Sequence, residues 1–189
     1  MVTKMAVFAS GSGSNFQAIQ EAILRGELNA SIELVVTDRP GAYVVTRAME
    51  FNIPVLELAP KSFDSKALYE QAIVEALRAH EVEWVILAGY MRLVGDVLLS
   101  AYEGRIINIH PSLLPSFPGK DAIGQAVAHG VKVTGVTVHF VDAGMDTGPI
   151  IAQRAVEVVE GDLAATEARI HAIEHELYAS TLKQLVEKK

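Results

Sequence analysis

The stretch Ile106-Ile107-Asn108-Ile109-His110-Pro111 is an apolar run that predicts a buried strand and ends in two polar side chains. Residues two apart on a strand point to the same face, so Asn108 and His110 would be directed at one spot. An amide donor beside an imidazole suits chemistry in which a carbonyl becomes an oxyanion. A hydrogen-bonded core histidine followed by a turn is the alternative, and these residues alone leave it open.

Around this stretch, apolar runs alternate with segments of helical periodicity. Such an order implies right-handed crossovers and an α/β fold with a mostly parallel sheet covered by helices on both faces. A final long helix should begin after Asp162 as its N-cap. Its stripe of Ile170, Ile173, Leu177, Thr181 and Leu185 should pack on the sheet. The predicted strands are 5–9, 32–36, 55–58, 84–88, 105–109, 135–141 and 148–158, and the other predicted helices are 16–24, 44–51, 65–80, 94–101 and 123–129.

Composition excludes several classes of protein. Half of the 189 residues are apolar, yet no apolar stretch approaches a membrane span, and the N-terminus lacks the pattern of a signal peptide. There is no cysteine for a disulfide or a thiolate metal site. The net charge of −7 argues against a broad nucleic-acid surface, although backbone amides could still bind a small anion. We therefore expect a cytoplasmic protein with small-molecule partners, and neither a nucleic acid nor a membrane.

Between the first strand and its helix lies Gly11-Ser12-Gly13-Ser14-Asn15. Glycines let the backbone turn sharply toward a ligand, and the amides of a helix N-terminus favour an anion, so this loop is a candidate phosphate site. We expect Ser14 or Asn15 to cap the helix. A dinucleotide fold with Asp38 as its ribose-binding acid is an alternative, but Phe16 replaces the third glycine of that motif. A plain tight turn also remains possible.

A third polar segment follows the strand at 135–141. Loops at strand ends commonly carry the sites of α/β proteins, and Asp146 could hold an imidazole and favour its cationic form. Asp142 and Asp146 could instead be solvated turn formers. A metal site that includes His110 and His139 is a further alternative, as is one on His171 and His175 of the last helix, but no close-spaced motif such as H-E-x-x-H supports a metal.

Taken in order, these segments resemble the phosphoribosylglycinamide formyltransferases, folate-dependent enzymes of purine biosynthesis. Ser112-Leu113-Leu114-Pro115 is typical of the wider folate formyltransferase group, and the Gly-Ser-Gly-Ser-Asn loop narrows the resemblance. Similar residues also occur at 88–92, 146–149 and 174–175, so the resemblance covers nearly the whole chain. It implies a Rossmann-like sheet of the formyltransferase type and a single formyltransferase domain over 1–189.

The resemblance also implies a reaction and its catalytic residues. The glycinamide amine attacks the formyl carbon of the co-substrate 10-formyltetrahydrofolate, and a tetrahedral oxyanion forms and collapses. Asn108 would hydrogen-bond the oxyanion, and His110 would be the general acid. Asp146 would keep His110 protonated and orient a proton-carrying water.

Binding residues follow from the same resemblance, which requires no metal. The phosphate would bind Gly11, Ser12, Gly13, Ser14 and Asn15, and Glu174 would accept from the ribose hydroxyls. The folate would contact Lys66, Met91, Arg92, Leu93, Val94, Asn108, Val141, Asp142 and Asp146. Lys66 stands where the family often has an arginine, so the charge is kept and the bidentate fork is lost. The chain would be a monomer or a homodimer.

Four other functions compete with this interpretation. Methionyl-tRNA formyltransferases resemble the chain in the Ser-Leu-Leu-Pro segment but carry an additional C-terminal domain. Formyltetrahydrofolate deformylases resemble it at Asn108, His110 and Asp146 but carry an N-terminal regulatory domain. An inert nucleotide-sensing module would keep the fold without turnover. A nicotinamide dehydrogenase is disfavoured by Phe16.

Overall fold

In the computed structural model, residues 2–187 are described and form seven strands and six α-helices. The strands are β1 (Thr3–Phe8), β2 (Ala30–Thr37), β3 (Val55–Glu57), β4 (Trp84–Leu87), β5 (Ile106–His110), β6 (Val133–Phe140) and β7 (Ile150–Glu157). The helices are α1 (Ser14–Leu24), α2 (Tyr43–Glu50), α3 (Lys66–Ala79), α4 (Asp96–Ala101), α5 (Ala122–His129) and α6 (Leu163–Glu187). A 3₁₀ turn at Pro60–Ser62 was not predicted.

All strands belong to one sheet in the order β3-β2-β1-β4-β5-β6-β7. The first five strands are parallel, and β6 and β7 are antiparallel to their neighbours. The expected mostly parallel α/β sheet with helices is therefore confirmed. The strand–helix pattern alone does not predict the antiparallel direction of β6 and β7. The short connection 141–149 contains no helix and closes an antiparallel pair.

Strand order reverses between β1 and β4. The chain first builds outward from β1 to β3 and then returns to place β4 on the other side of β1. The loops that follow the two strands at such a reversal run to opposite faces of the sheet and leave a crevice between them. This crevice is the usual ligand site of an open α/β sheet. Here the loops are 9–13, after β1, and 88–95, after β4.

Two apolar layers cover the sheet. On one face α1, α2 and α6 pack over β1, β5 and β6, with Phe16 and Ile170 fully buried. On the other face α3 and α4 bury Ile73 and Leu98 against β1, β2 and β4. Both faces are apolar, which explains why the central strands are continuous hydrophobic runs rather than alternating ones.

The last helix follows the sequence prediction. Asp162 Oδ1 accepts the backbone N–H of Ala165 at 2.9 Å, which confirms the N-cap. In the predicted apolar stripe, Ile170, Leu177 and Thr181 are buried, and Ile173 and Leu185 are half-buried against the same core.

Tyr178 of α6 reaches the middle of the sheet. Its buried hydroxyl lies 2.8 Å from the carbonyl oxygen of Leu87 on β4 and 3.1 Å from that of Ile107 on β5, and it donates to this pair. The helix is thereby tied to the strand that carries Asn108 and His110. None of the helices among residues 2–187 combines the length and the apolar character of a membrane span.

Candidate active site

Pairing between β5 and β6 places the polar side chains of the two strands together. Asn108 lies opposite His139, and His110 lies opposite Thr137. The side chain of Asn108 is half-buried, while His110 and His139 are 5% and 2% exposed. Strand periodicity thus brings Asn108 and His110 to one place, and the antiparallel register adds His139 to them.

Asn108 is oriented by His139. The Nδ1–H of His139 donates to the carbonyl oxygen of Phe140 at 2.8 Å, which leaves Nε2 as an acceptor. The amide nitrogen of Asn108 lies 3.3 Å from that Nε2 and donates to it. Burial lowers the pKa of His139, in agreement with a neutral ring at neutral pH. One of the two amide hydrogens of Asn108 is thus fixed, and the second remains available to a ligand.

His110 has an acceptor at each ring nitrogen. Nε2 donates to the carbonyl oxygen of Phe117 at 2.9 Å, and Nδ1 lies 3.5 Å from Oδ2 of Asp146. A carbonyl faces one ring nitrogen and a carboxylate lies near the other, so an N–H on either nitrogen has an acceptor within reach. The same Oδ2 accepts the backbone N–H of Gly119 at 2.8 Å, which holds the carboxylate in place.

The two aspartates of the 141–149 connection differ in their surroundings. Asp142 is exposed and closes a local turn, with Oδ1 accepting from Thr147 Oγ1 at 2.6 Å and from Gly144 N–H at 3.0 Å. The bond from Thr147 is the main cause of its lowered pKa. Asp146 has a φ of 55° and directs its carboxylate toward His110. Asp142 therefore fits the turn-former alternative, and Asp146 fits the functional one.

Residues after His110 are anchored to the antiparallel strands. Thr137 Oγ1 donates to the carbonyl oxygen of Ser112 at 2.7 Å and accepts the N–H of Leu114 at 3.1 Å. Gln153 Nε2, from β7, donates to the carbonyl oxygen of Leu114 at 2.9 Å. The loop that contains Ser-Leu-Leu-Pro thus depends on both β6 and β7 for its position.

The loop after β1 ends at Gly13, which is the N-cap of α1 and has a φ of 74°. A Cβ at this position would lie 2.6 Å from Cγ2 of Val44, so both the conformation and the space require glycine. The expectation that Ser14 or Asn15 caps α1 is wrong, because both lie inside the helix and no side chain caps it. The first amides of α1 therefore have no side-chain acceptor at this cap and remain suited to an anion.

Two neighbouring side chains support this loop. Arg47 Nε donates to the carbonyl oxygen of Ser12 at 2.8 Å, which brings a cation close to the loop. Asn15 is buried, and its Oδ1 has no hydrogen-bond partner among the described residues. An unpaired buried amide oxygen is costly, which favours a group that donates a hydrogen bond at this place.

Asp38 does not fit the dinucleotide alternative. Its Oδ1 accepts from Ser10 Oγ at 2.5 Å, and that Oγ accepts the backbone N–H of Met91 at 2.8 Å. The carboxylate thus joins the ends of β1, β2 and β4 inside the protein. Phe16 is fully buried and packs edge-to-face against Phe51.

Glu174 lies on the side of α6 that faces the crevice. Its carboxylate is 5% exposed, and its Oε2 accepts from His171 Nδ1 at 2.7 Å. That hydrogen bond raises the pKa of His171. One oxygen of Glu174 is therefore held, and the other can accept from a hydroxyl.

A single cavity of about 760 Å³ connects these features. Lys66 is outside its lining, at the first turn of α3 with its Cε near Gly95. The other predicted site residues line it: 11–15, 91–94, Asn108, His110, Val141, Asp142, Asp146 and Glu174. Across residues 2–187, no group of three or more His, Asp or Glu side chains is arranged to hold a metal ion.

Sequence reasoning missed several residues of the cavity. His139 was considered only as a metal ligand, because its contact with Asn108 depends on a register between distant strands. His171 and Arg39 also line the cavity. His171 could have been inferred from its position three residues before Glu174, since residues at i and i+3 meet on a helix.

Comparison with known proteins reveals extensive similarity. A family model described as formyl transferase matches residues 3–182. A phosphoribosylglycinamide formyltransferase of Bacillus subtilis (strain 168) is 60% identical over 184 residues, which are 97% of this chain and 94% of that protein. A crystal structure of glycinamide ribonucleotide transformylase 1 from Geobacillus kaustophilus has a TM-score of 0.95 and 58% identity, covering 98% of this chain and 99% of the other. That of a phosphoribosylglycinamide formyltransferase from Bacillus halodurans has a TM-score of 0.96 and 54% identity, covering 98% and 96%.

Proposed function

The chain belongs to the formyl transferase family, and from that membership we propose that it transfers the formyl group of 10-formyltetrahydrofolate to the amine of 5'-phosphoribosylglycinamide. The products are 5'-phosphoribosyl-N-formylglycinamide and tetrahydrofolate, and the reaction is a step in the de novo synthesis of IMP. One observation carries the proposal most directly: Asn108, His110 and Asp146 line the same cavity as the glycine-rich loop of α1.

The ribonucleotide occupies the end of the cavity between α1 and α6. Its phosphate binds the backbone amides of 11–15, where the N-terminus of α1 favours negative charge. Its ribose hydroxyls donate to the free oxygen of Glu174, because the other oxygen is held by His171. This placement directs the glycinamide amine toward Asn108 and His110.

The folate occupies the other end, between the segments 91–94 and 141–146. The N–H of Met91 is already bound to Ser10 Oγ, so the pteridine uses other backbone groups of these two segments. A short slot of backbone donors and acceptors suits a flat heterocycle with several polar edges. The formyl carbon then lies next to the amide of Asn108.

Asn108 stabilises the charge that develops during transfer. When the amine attacks the formyl carbon, the carbonyl π electrons move to oxygen and form an oxyanion. Asn108 has a second amide N–H that is not bound to His139, and this N–H donates to the oxyanion. The neutral His139 holds the amide before the reaction, so little reorganisation is needed in the transition state.

His110 supplies the acid. Its Nε2–H donates to the carbonyl oxygen of Phe117, so the proton on Nδ1 is the one available for transfer. Nδ1 lies 3.5 Å from Oδ2 of Asp146. The anionic Asp146 stabilises the imidazolium until the intermediate forms. His110 then donates its Nδ1 proton to the folate nitrogen while the oxyanion re-forms the carbonyl, so the C–N bond to the folate breaks and tetrahydrofolate leaves. A water oriented by Asp146 carries the proton released by the attacking amine back to His110.

Other expectations about the molecule remain predictions. They are the single domain over 1–189, the monomeric or homodimeric state, and the cytoplasmic location. The range 1–189 extends past the described residues at both ends. The roles of Lys66 and of the other binding residues are likewise predictions. The mechanism described here uses side chains and backbone groups of the protein and assigns no step to a metal.

The test is a spectrophotometric assay of 10-formyltetrahydrofolate consumption with and without the ribonucleotide. We expect turnover only when 5'-phosphoribosylglycinamide is present, together with formation of its N-formyl product. Donor breakdown at the same rate without the ribonucleotide would identify a hydrolase instead. Absence of turnover in both cases would contradict the proposed reaction.

A further inference from the structure

Helix α3 holds the folate-side segment 90–95 at several points, although it lies on the other side of the sheet from α1 and α6. Tyr69 Oη lies 2.8 Å from Tyr90 Oη, and the guanidinium carbon of Arg92 lies 5.7 Å from the centroid of the Tyr69 ring. The next residue of α3, Glu70, contacts the far end of the same segment. The consecutive residues Tyr69 and Glu70 thus contact the two ends of the segment 90–95.

Glu70 acts at the start of α4. Its carboxylate is 4% exposed and accepts the backbone N–H of Gly95 at 2.6 Å and that of Leu98 at 3.1 Å. Gly95 is the N-cap of α4 and has no side chain with which to cap the helix. The cap is therefore supplied by a residue 25 positions earlier in the chain.

A buried carboxylate is retained at such a position only when its oxygens are well paired. Taking a carboxylate out of water is costly, and short hydrogen bonds from backbone amides offset this cost. Each oxygen of Glu70 accepts from a different amide, so the side chain determines where the backbone passes from loop to helix. Leu93 and Val94, immediately before this point, line the cavity.

We propose that Glu70 is a positioning residue for the folate, an inference that rests on the proposed function. Glu70 is not among the residues that line the cavity. By fixing Gly95 it sets the direction of the backbone at 91–94, whose residues do line it. Errors of a fraction of an ångström in such a segment weaken binding and transfer.

The first variant is Glu70→Gln, which keeps the shape but offers one acceptor oxygen and turns an NH₂ group toward a backbone N–H. We expect the KM for 10-formyltetrahydrofolate to rise about tenfold or more, while the KM for the ribonucleotide stays within about twofold. Tetrahydrofolate binding by calorimetry should weaken in parallel. The matched control is Asp162→Asn, the same chemical change at the N-cap of α6, which should leave both KM values unchanged.

A second variant keeps the inference testable if Glu70→Gln does not fold. In Gly95→Ala, the new Cβ would lie 2.9 Å from both Glu70 Oε1 and Lys66 Cε, so the carboxylate must shift away from the amide of residue 95. The φ of Gly95 is −102°, so alanine is not strained there. Displacing the carboxylate from the opposite side should raise the same KM.

Unchanged tetrahydrofolate binding in the folded variants would overturn the positioning role, as would equal rises in both KM values. Because calorimetry with tetrahydrofolate does not require turnover, this result is independent of the catalytic assay. Failure of the parent protein to transfer the formyl group would count against the proposed function instead.

Discussion

At the scale of single residues, the site depends on one histidine that is neutral and one that has an acceptor at both ring nitrogens. His139 accepts from Asn108, and His110 faces Asp146 and the carbonyl of Phe117. The two imidazoles lie on adjacent strands, yet they have different hydrogen-bond partners. Asn108 is thereby held as a donor, as the proposed oxyanion role requires, and His110 has the surroundings that its proposed role as the acid requires.

Replacing Asn108 with alanine tests the oxyanion role. We expect kcat to fall about 10²-fold or more, because a donor to the developing charge is lost, while the melting temperature changes little. Steady-state kinetics and thermal unfolding measure the two effects. His110→Ala should act similarly, and the double variant should lose less than the product of the single losses because the groups act as a unit. An unchanged kcat in Asn108→Ala would remove Asn108 from the mechanism.

Gly13→Ala tests the phosphate loop. The new Cβ meets both a φ of 74° and the side chain of Val44, so the loop must move away from α2. We expect the KM for the ribonucleotide to rise about tenfold or more and the KM for the folate to stay nearly constant. Gly26→Ala is the control, since Gly26 has a φ of 73° with no atom near the added Cβ, and it should change stability but not KM.

At the scale of elements, α6 joins the two halves of the site. It carries Glu174 at the proposed ribonucleotide end, and Tyr178, one turn later, binds the carbonyls of Leu87 and Ile107 in the sheet. The position of Glu174 relative to β5 is thus fixed by a hydrogen bond as well as by apolar packing.

Tyr178→Phe tests this connection. Removal of the hydroxyl leaves buried carbonyl oxygens with one partner fewer, and we expect the free energy of unfolding to fall by about 1–3 kcal/mol. Urea unfolding measures this loss. Tyr43→Phe provides the control, because Tyr43 is 55% exposed and its replacement should change stability by less than about 0.5 kcal/mol. Equal effects of the two substitutions would show that the Tyr178 hydroxyl does not stabilise the fold.

Elements whose signals are local were predictable, and contacts between distant elements were not. The cap at Asp162, the apolar stripe of α6 and the shared face of Asn108 and His110 all follow from spacing along the chain. The direction of β6 relative to β5, the contact between Asn108 and His139, and the cap from Glu70 depend on register and packing between remote segments. The N-cap of α1 requires glycine because Val44 of α2 leaves no space for a Cβ at Gly13. The sequence around Gly13 does not indicate this contact.

At the scale of the whole molecule, the histidines couple stability to pH. Burial lowers the pKa of His139 and of His175 below the ordinary value of 6.5 in the folded chain. Their contribution is therefore present above 6.5 and lost as pH falls toward the folded pKa values. The raised pKa of His171 acts in the opposite direction, because its contribution is complete below 6.5 and is lost as pH rises through the folded pKa.

We expect acidification from about pH 7.5 to about pH 5.5 to remove the stabilising contributions of His139 and His175 to the free energy of unfolding, and to restore that of His171. Urea unfolding at both values of pH measures the difference. His171 and His175 lie one turn apart on α6 and provide a matched pair of variants. His175→Gln should reduce the loss of unfolding free energy on acidification, and His171→Gln should increase it. Equal losses in the two variants and the parent would contradict this assignment.

The attachment of the loop after His110 to Gln153 has a consequence for motion. Gln153 belongs to β7, an edge strand that is paired on one side only, and such strands open locally at a small fraction of the global unfolding free energy. Each opening of β7 releases the carbonyl of Leu114. Amide hydrogen exchange should therefore show the loop 112–116 and the strand β7 losing protection together, so that local opening at the edge of the sheet reaches the segment that follows His110.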